Sequence, residues 1–190
     1  MGNFTRTSAP ATEPVTTAEA KAHLRVDISD DDTYIDSLVA AARQWCETFT
    51  RRAFITQTWT YTARSFPCSF TLYPSPASAV TGIQYYDAAG DLQTLSASVY
   101  QVDTTGIVTR VTLKPFQDWP ATYSDLYNAV VVTFTCGYGA ASAVPDGIKS
   151  AIKLIVGHWY RTREAVVYGS TPAKVPLSAE SLLYSFKVPQ

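Results

Sequence analysis

The chain has 190 residues, of which 46% are hydrophobic and 16% are charged, and its formal net charge is -1. This composition suits one folded domain, or a core with a subdomain, and it excludes a chain that is disordered throughout. A nearly neutral chain is also not typical of proteins that bind nucleic acid or an anionic membrane through a clustered cationic face.

The N-terminal residues 1–15 are rich in Ser, Thr, Pro and Ala and lack the apolar run of a signal peptide, which predicts a flexible, extended arm. Thr16 and Glu19 have the spacing of a capping box, so a short helix is expected to run to about Leu24. The acidic run 30–32 then favours the start of a longer helix, because the helix dipole stabilises carboxylates there. Capping and solvation explain this run without a bound cation.

Two long amphipathic helices are predicted, over 30–50 and over 146–163. In each, apolar residues recur with the helical period and form one stripe. The first stripe contains Ile35, Leu38, Val39, Ala42, Trp45, Cys46 and Phe49, and the second contains Ile148, Ala151, Ile152, Ile155, Val156 and Trp159. Neither helix can bury its stripe alone, so we expect the two to pack on each other.

The segment between these helices has the two-residue period of β-strands. The first strand begins at Thr56, and later strands are predicted over 70–73, 80–86, 93–95, 100–102, 107–113 and 129–135. A hairpin loop is expected at 87–91, with Gly90 at positive φ. Gly137 and Gly139 predict a turn towards the second long helix.

The predicted fold class is α+β. An arm (1–15) precedes a single domain (16–190), which has a small helical core (16–54 and 144–164). An antiparallel β subdomain (55–140) is inserted into this core. The remaining segment (165–190) is expected to be a loop that leads to a short C-terminal helix over 178–186.

Residues arranged for catalysis are not found. Three cysteines, Cys46, Cys68 and Cys136, are an odd number without a CxxC pair, which indicates reduced thiols and a cytosolic environment. His23 and His158 lie in predicted helices without other ligands at metal-binding spacing. No nucleophile motif, phosphate loop or dinucleotide fingerprint occurs. The sequence therefore predicts no enzyme, no cofactor and no metal site.

Aromatic residues are numerous, with 4 Trp, 12 Tyr and 8 Phe, and most lie at strand positions. Their neighbours are chiefly Thr and Ser, so packing within the sheet is favoured over stacking on a ligand. The alternative is a β-rich binding module that recognises a glycan or peptide through exposed aromatic residues such as Trp59 and Tyr85.

Charge is distributed unevenly along the chain. The acidic run lies near the N-terminus, whereas the segment from Lys149 onward is rich in Lys and Arg. These two regions could meet between neighbouring copies, and such a head-to-tail contact closes into a ring if the rotation permits. The expected subunit-interface residues are Asp30, Asp31, Asp32, Arg161 and Arg163.

Several segments carry a family resemblance. EAKAHLRV (19–26), IDSLVAAAR (35–43) and RRAFITQTW (51–59) are followed by IQYYD (83–87) and FTCGY (134–138). In this order they resemble the head-tail connector, or adaptor, proteins of long-tailed double-stranded DNA phages and related prophages. The resemblance covers about 16–186.

This resemblance implies a non-enzymatic virion protein, assembled in the host cytoplasm and located at the head-tail interface. It implies a homo-oligomeric, dodecameric ring beneath the portal protein, next to a tail-proximal stopper or tail completion protein. Genomic DNA would pass through the channel without sequence-specific binding. In such adaptors the C-terminal segment docks on the portal, which implies portal binding by Leu182, Leu183, Tyr184 and Phe186. The alternative is that these residues pack on the chain's own helices.

Overall fold

The computed structural model describes residues 2–162 and 177–189. Within them the fold is α+β, with four helices and two antiparallel sheets, so the predicted fold class is confirmed. The chain divides into two compact units. Unit 1 comprises 1–10 and 56–138, and unit 2 comprises 11–55 and 139–190.

Unit 2 contains all the described helices. They are α1 (Thr17–Leu24), α2 (Asp32–Thr50), α3 (Asp146–Arg161) and α4 (Leu177–Tyr184), with a 3-10 turn at Ala141–Ala143 before α3. The predicted capping box at the start of α1 is confirmed: the Thr16 side chain accepts from the Glu19 N–H, and the Glu19 carboxylate accepts from the Thr16 N–H. The bonds from Thr16 hold the pKa of Glu19 below its usual range.

Helices α2 and α3 pack on each other, as their apolar stripes predict. The buried face of α2 contains Ile35, Val39, Ala42 and Cys46, and that of α3 contains Ile148, Ala151, Ile152, Ile155 and Val156. The burial of the α2 stripe differs from the prediction. Leu38, Trp45 and Phe49 are only half-buried, with Trp45 stacked on Phe49, whereas Arg43 and Thr50 are buried.

Unit 1 contains eight strands in two antiparallel sheets. They are β1 (Asn3–Ser8), β2 (Gln57–Ala63), β3 (Ser69–Leu72), β4 (Ala77–Tyr86), β5 (Leu92–Thr94), β6 (Tyr100–Asp103), β7 (Thr109–Leu113) and β8 (Val130–Cys136). One sheet has the order β1-β2-β8-β4-β5, and the other has the order β3-β7-β6. The central strand β8 buries every second side chain, which is typical of a strand with one face on the core.

Strand β1 lies in the segment for which the sequence predicts a flexible arm. Residues 3–8 instead pair antiparallel with β2, with Asn3 opposite Thr62. The ring of Phe4 lies 5.0 Å from that of Tyr61 and holds the strand against the sheet. Phe4 is the one apolar side chain of β1, so the short segment has no alternating pattern from which a strand could be predicted.

The β4–β5 hairpin turns at the predicted residues. Gly90 has a φ of 92°, which a residue with a Cβ rarely adopts. The Asp87 carboxylate accepts hydrogen bonds from the backbone N–H groups of Asp91 (3.1 Å) and Ala89 (3.0 Å), and these bonds lower its pKa. The Asp87 side chain therefore stabilises the turn by accepting from its backbone.

Candidate functional site

The C-terminal segment 177–189 packs against α2 and α3 within unit 2. Ala179, Leu183 and Val188 are completely buried. The Val188 N–H donates to the Thr50 carbonyl (3.0 Å), and the Arg52 side chain donates to the Phe186 carbonyl. These bonds fasten the end of the chain to the end of α2.

The four residues for which the family resemblance implies portal binding fall into two pairs. Leu183 is completely buried, and the half-buried ring of Phe186 lies against Gly147, where an added Cβ would be 3.1 Å from a ring carbon. Leu182 is 38% exposed and Tyr184 is 73% exposed. Leu177, which the sequence reasoning missed, is 80% exposed on the same helix. We call Leu177, Leu182 and Tyr184 the α4 surface.

The predicted subunit-interface residues are partly used within the chain. Asp31 accepts a hydrogen bond from the Tyr160 hydroxyl, and Asp32 forms a 2.6 Å salt bridge with Lys21. Asp30 and Arg161 are both exposed. Arg163 lies outside the described residues. Because Tyr160 precedes Arg161, the bond to Asp31 brings the end of α3 to the start of α2.

An ion cluster around the buried side chain of Arg43, not expected from the sequence, holds three parts of unit 2 together. Arg43 is 4% exposed and donates from Nε to Glu13 (2.6 Å) and from Nη1 to Glu47 (2.7 Å). Glu47 also accepts from the Phe54 N–H (2.9 Å). Burial opposes the charge of Arg43, but the hydrogen bond to Glu13 and the charge of Glu47 outweigh it and raise the pKa of Arg43. The cluster therefore links the segment before α1, helix α2 and the segment after it.

Several aromatic residues of unit 1 pack on one another. Phe66 stacks on Trp119 with ring centroids 4.7 Å apart, and Tyr85 meets Phe66 edge-on at 5.7 Å. Trp59 is half-buried and donates its indole N–H to the Gln57 side chain (3.1 Å). Neither Trp59 nor Tyr85 is exposed in the manner that a stacking platform requires. These contacts agree with the packing role that the sequence favours.

Unit 1 also has a long connection between β7 and β8, residues 114–129, which we call the Phe116 loop. Phe116 is fully exposed and has a φ of 62°, and Tyr127 is 81% exposed. For a residue other than glycine this left-handed conformation costs about 1–2 kcal/mol. Connections of this length without secondary structure are uncommon and usually functional, so the length of the gap between predicted strands could have indicated it.

The described residues contain three free cysteines and no cluster of metal ligands. In the parts of the chain that the structure covers, no group of three or more His, Cys, Asp or Glu side chains could hold a metal ion. Cys46 and Cys136 are buried, Cys68 is exposed, and all three are free thiols. Burial raises the pKa of Cys46 to about 12, so this thiol remains protonated at neutral pH. Residues 2–162 and 177–189 also contain no helix that is long and apolar enough to span a membrane.

Comparison with known proteins places the chain in a family. The family model of head completion proteins matches residues 14–172. No curated protein matches the chain. Two solved structures, from the neck of an empty gene transfer agent (GTA) particle computed with C6 symmetry and from the virion of a native GTA particle, are each 22% identical with a TM-score of 0.80. They cover 99% and 98% of this chain, and 96% of each matched chain is covered.

A third solved structure, from the neck of a native GTA particle computed with C12 symmetry, has a TM-score of 0.72 at 20% identity. It covers 99% of this chain, and 96% of the matched chain is covered. At such identities these three likenesses establish a shared fold. Because the family model spans most of the sequence, the chain belongs to the head completion protein family, and it is a structural protein and not an enzyme.

Proposed function

We propose that the protein forms an oligomeric ring at the head-tail interface of a phage-like virion, beneath the portal, as a head-tail adaptor. The observation that carries this proposal is the match to the head completion family over residues 14–172. It is supported by the likeness of nearly the whole chain to chains from GTA particles, two of them from necks. A tail-proximal stopper or tail completion protein follows on the other side of the ring.

The ring is proposed to be a dodecamer, which the C12 symmetry used for one structural relative supports. Cyclic rings are built from heterologous contacts, in which one surface of each copy meets a different surface of the next. Asp30 and Arg161 are exposed and opposite in charge, so they suit such a contact. Asp31 and Asp32 support it indirectly by fixing the start of α2 through Tyr160 and Lys21.

Genomic DNA is proposed to pass through the ring without sequence-specific contacts. In each compact unit the numbers of basic and acidic residues are nearly equal. A protein that neutralises many phosphates binds DNA strongly, and such binding would hinder passage. A nearly neutral ring therefore suits a channel through which DNA moves.

The α4 surface is proposed to dock on the portal protein. Tyr184 and Leu177 are among the most exposed large apolar side chains of unit 2, and because they lie seven residues apart they share one face of α4, which suits contact with a partner. Leu183 and Phe186 contribute differently, because they hold α4 on the helices of their own chain. Leu183 and Phe186 thus position α4, and Leu182 and Tyr184 contact the portal.

Replacing both Leu182 and Tyr184 by alanine tests this assignment. Exposed side chains contribute little to folding, so we expect the free energy of unfolding to change by less than about 0.5 kcal/mol. The fraction of filled heads that carry the protein should fall at least about tenfold, since an anchoring aromatic contributes about 2 kcal/mol to an interface. Electron microscopy and quantitative mass spectrometry of purified heads measure this fraction. Ser178→Ala, at an exposed polar position of α4, is the control. Heads that retain the double variant at the wild-type level would refute the portal assignment.

A further inference from the structure

Unit 1 has two exposed aromatic side chains to which the proposed function assigns no role. Phe116 is fully exposed with a φ of 62°, and Tyr127 lies in the same loop. In the isolated chain the backbone is in a region that bulky residues rarely adopt, and the ring remains in water. Backbone outliers of this kind concentrate at binding sites, where the surrounding structure enforces them.

Several contacts hold the Phe116 loop in place. The Lys114 N–H donates to the Val99 carbonyl (3.0 Å), and Arg64 donates from Nε (3.0 Å) and Nη2 (2.7 Å) to the Ser124 carbonyl. Between these points Trp119 stacks on Phe66. Phe116 therefore projects from a fixed base, and such preorganisation lowers the entropy cost of binding.

The charges of the Phe116 loop indicate the chemistry of its partner. Within the loop Lys114 is offset by Asp118 and Asp125, and all three side chains are exposed. Such mixed charge does not suit a phosphate backbone or an anionic lipid surface, each of which attracts clustered Lys and Arg. A protruding aromatic ring with a polar surround suits an apolar pocket on a protein.

We infer that the Phe116 loop docks into an apolar pocket of the tail-proximal neck protein. This inference rests on the proposed function, in which each copy contacts the portal, two neighbouring copies and a protein on the tail side. Unit 2 supplies the α4 surface for the portal and the charged positions Asp30 and Arg161 for the ring. Among described residues, Phe116 and Tyr127 are the most exposed aromatic side chains of unit 1. They are therefore assigned to the contact with the tail-side protein.

Particles that carry Phe116→Gly test the inference. Glycine removes the ring and accepts a φ of 62°, so the loop keeps its backbone and the protein folds. We expect filled heads to retain the variant at the wild-type level, while the proportion of heads joined to tails falls about tenfold or more. Leu92→Ala, at another exposed apolar position of unit 1, is the matched control and should leave joining unchanged.

Three results would overturn the inference. Heads that carry Phe116→Gly and join tails at the wild-type frequency would exclude the loop as the tail-side contact. Loss of the variant from filled heads would instead assign Phe116 to a contact with the portal or with a neighbouring copy. Absence of the wild-type protein from filled heads would contradict the proposed function itself, and this result is seen before any variant is made.

Discussion

Replacing Arg43 by alanine is expected to lower the free energy of unfolding of unit 2 by about 3–5 kcal/mol. The side chain is 4% exposed and donates to both Glu13 and Glu47. Removing it leaves the Glu47 carboxylate, which is 13% exposed, and the Glu13 carboxylate, which is 30% exposed, without their guanidinium partner, and it removes the packing of the buried Arg43 side chain. Urea denaturation followed by the helical circular dichroism signal measures the loss, because all the described helices lie in unit 2.

Lys21→Ala is the matched control for this measurement. It breaks the salt bridge to Asp32, in which the Asp32 side chain is 40% exposed. Exposed ion pairs contribute about 0.2–1 kcal/mol, so the loss in free energy of unfolding should be several times smaller for Lys21→Ala than for Arg43→Ala. If the free energy of unfolding fell by the same small amount in both variants, the Arg43 cluster would not be the element that links the parts of unit 2.

Replacing Phe134 by alanine is expected to destabilise unit 1 by about 3–5 kcal/mol. Phe134 is completely buried on the central strand β8, between Trp59 of β2 and Val80 of β4 in the register of the sheet. Its loss leaves a cavity that the two flanking strands cannot close without breaking their pairing. Denaturation followed by tryptophan fluorescence measures the loss in a background in which Trp45 and Trp159 of unit 2 are replaced by Phe, so that Trp59 and Trp119 of unit 1 supply the signal.

Tyr127→Ala is the control for Phe134→Ala, because Tyr127 is aromatic but exposed. We expect its effect on stability to stay within about 0.5 kcal/mol. A loss for Phe134→Ala no larger than that for Tyr127→Ala would contradict the packing described for unit 1.

The helices could be predicted from sequence because their signals are local. The 3.6-residue period of the apolar residues predicts that α2 packs on α3. The spacing of Thr16 and Glu19 predicts where α1 begins. The start of α2 is two residues later than predicted, at Asp32, because acidic residues suit every position of a first turn and do not select one. Strands with alternating patterns, from β2 to β8, were predictable for the same reason.

The features that could not be predicted depend on distant partners. Strand β1 is a strand because β2, more than fifty residues later, pairs with it. Arg43 interrupts an apolar stripe, and although Glu47 four residues on is a visible partner, Glu13 lies thirty residues earlier in an unpatterned segment. The α4 surface was only partly predictable, since the sequence cannot tell which side of a short apolar helix faces its own chain. Leu183 and Tyr184 are neighbours in sequence, yet one is buried and the other is exposed.

Cryo-electron microscopy of the neck of particles that contain this protein tests its proposed role most directly. We expect a closed ring of copies between the portal and the tail, with the α4 surface on the portal side. Density for the chain elsewhere in the particle, or a complete neck that lacks it, would contradict a role as the ring that connects head and tail.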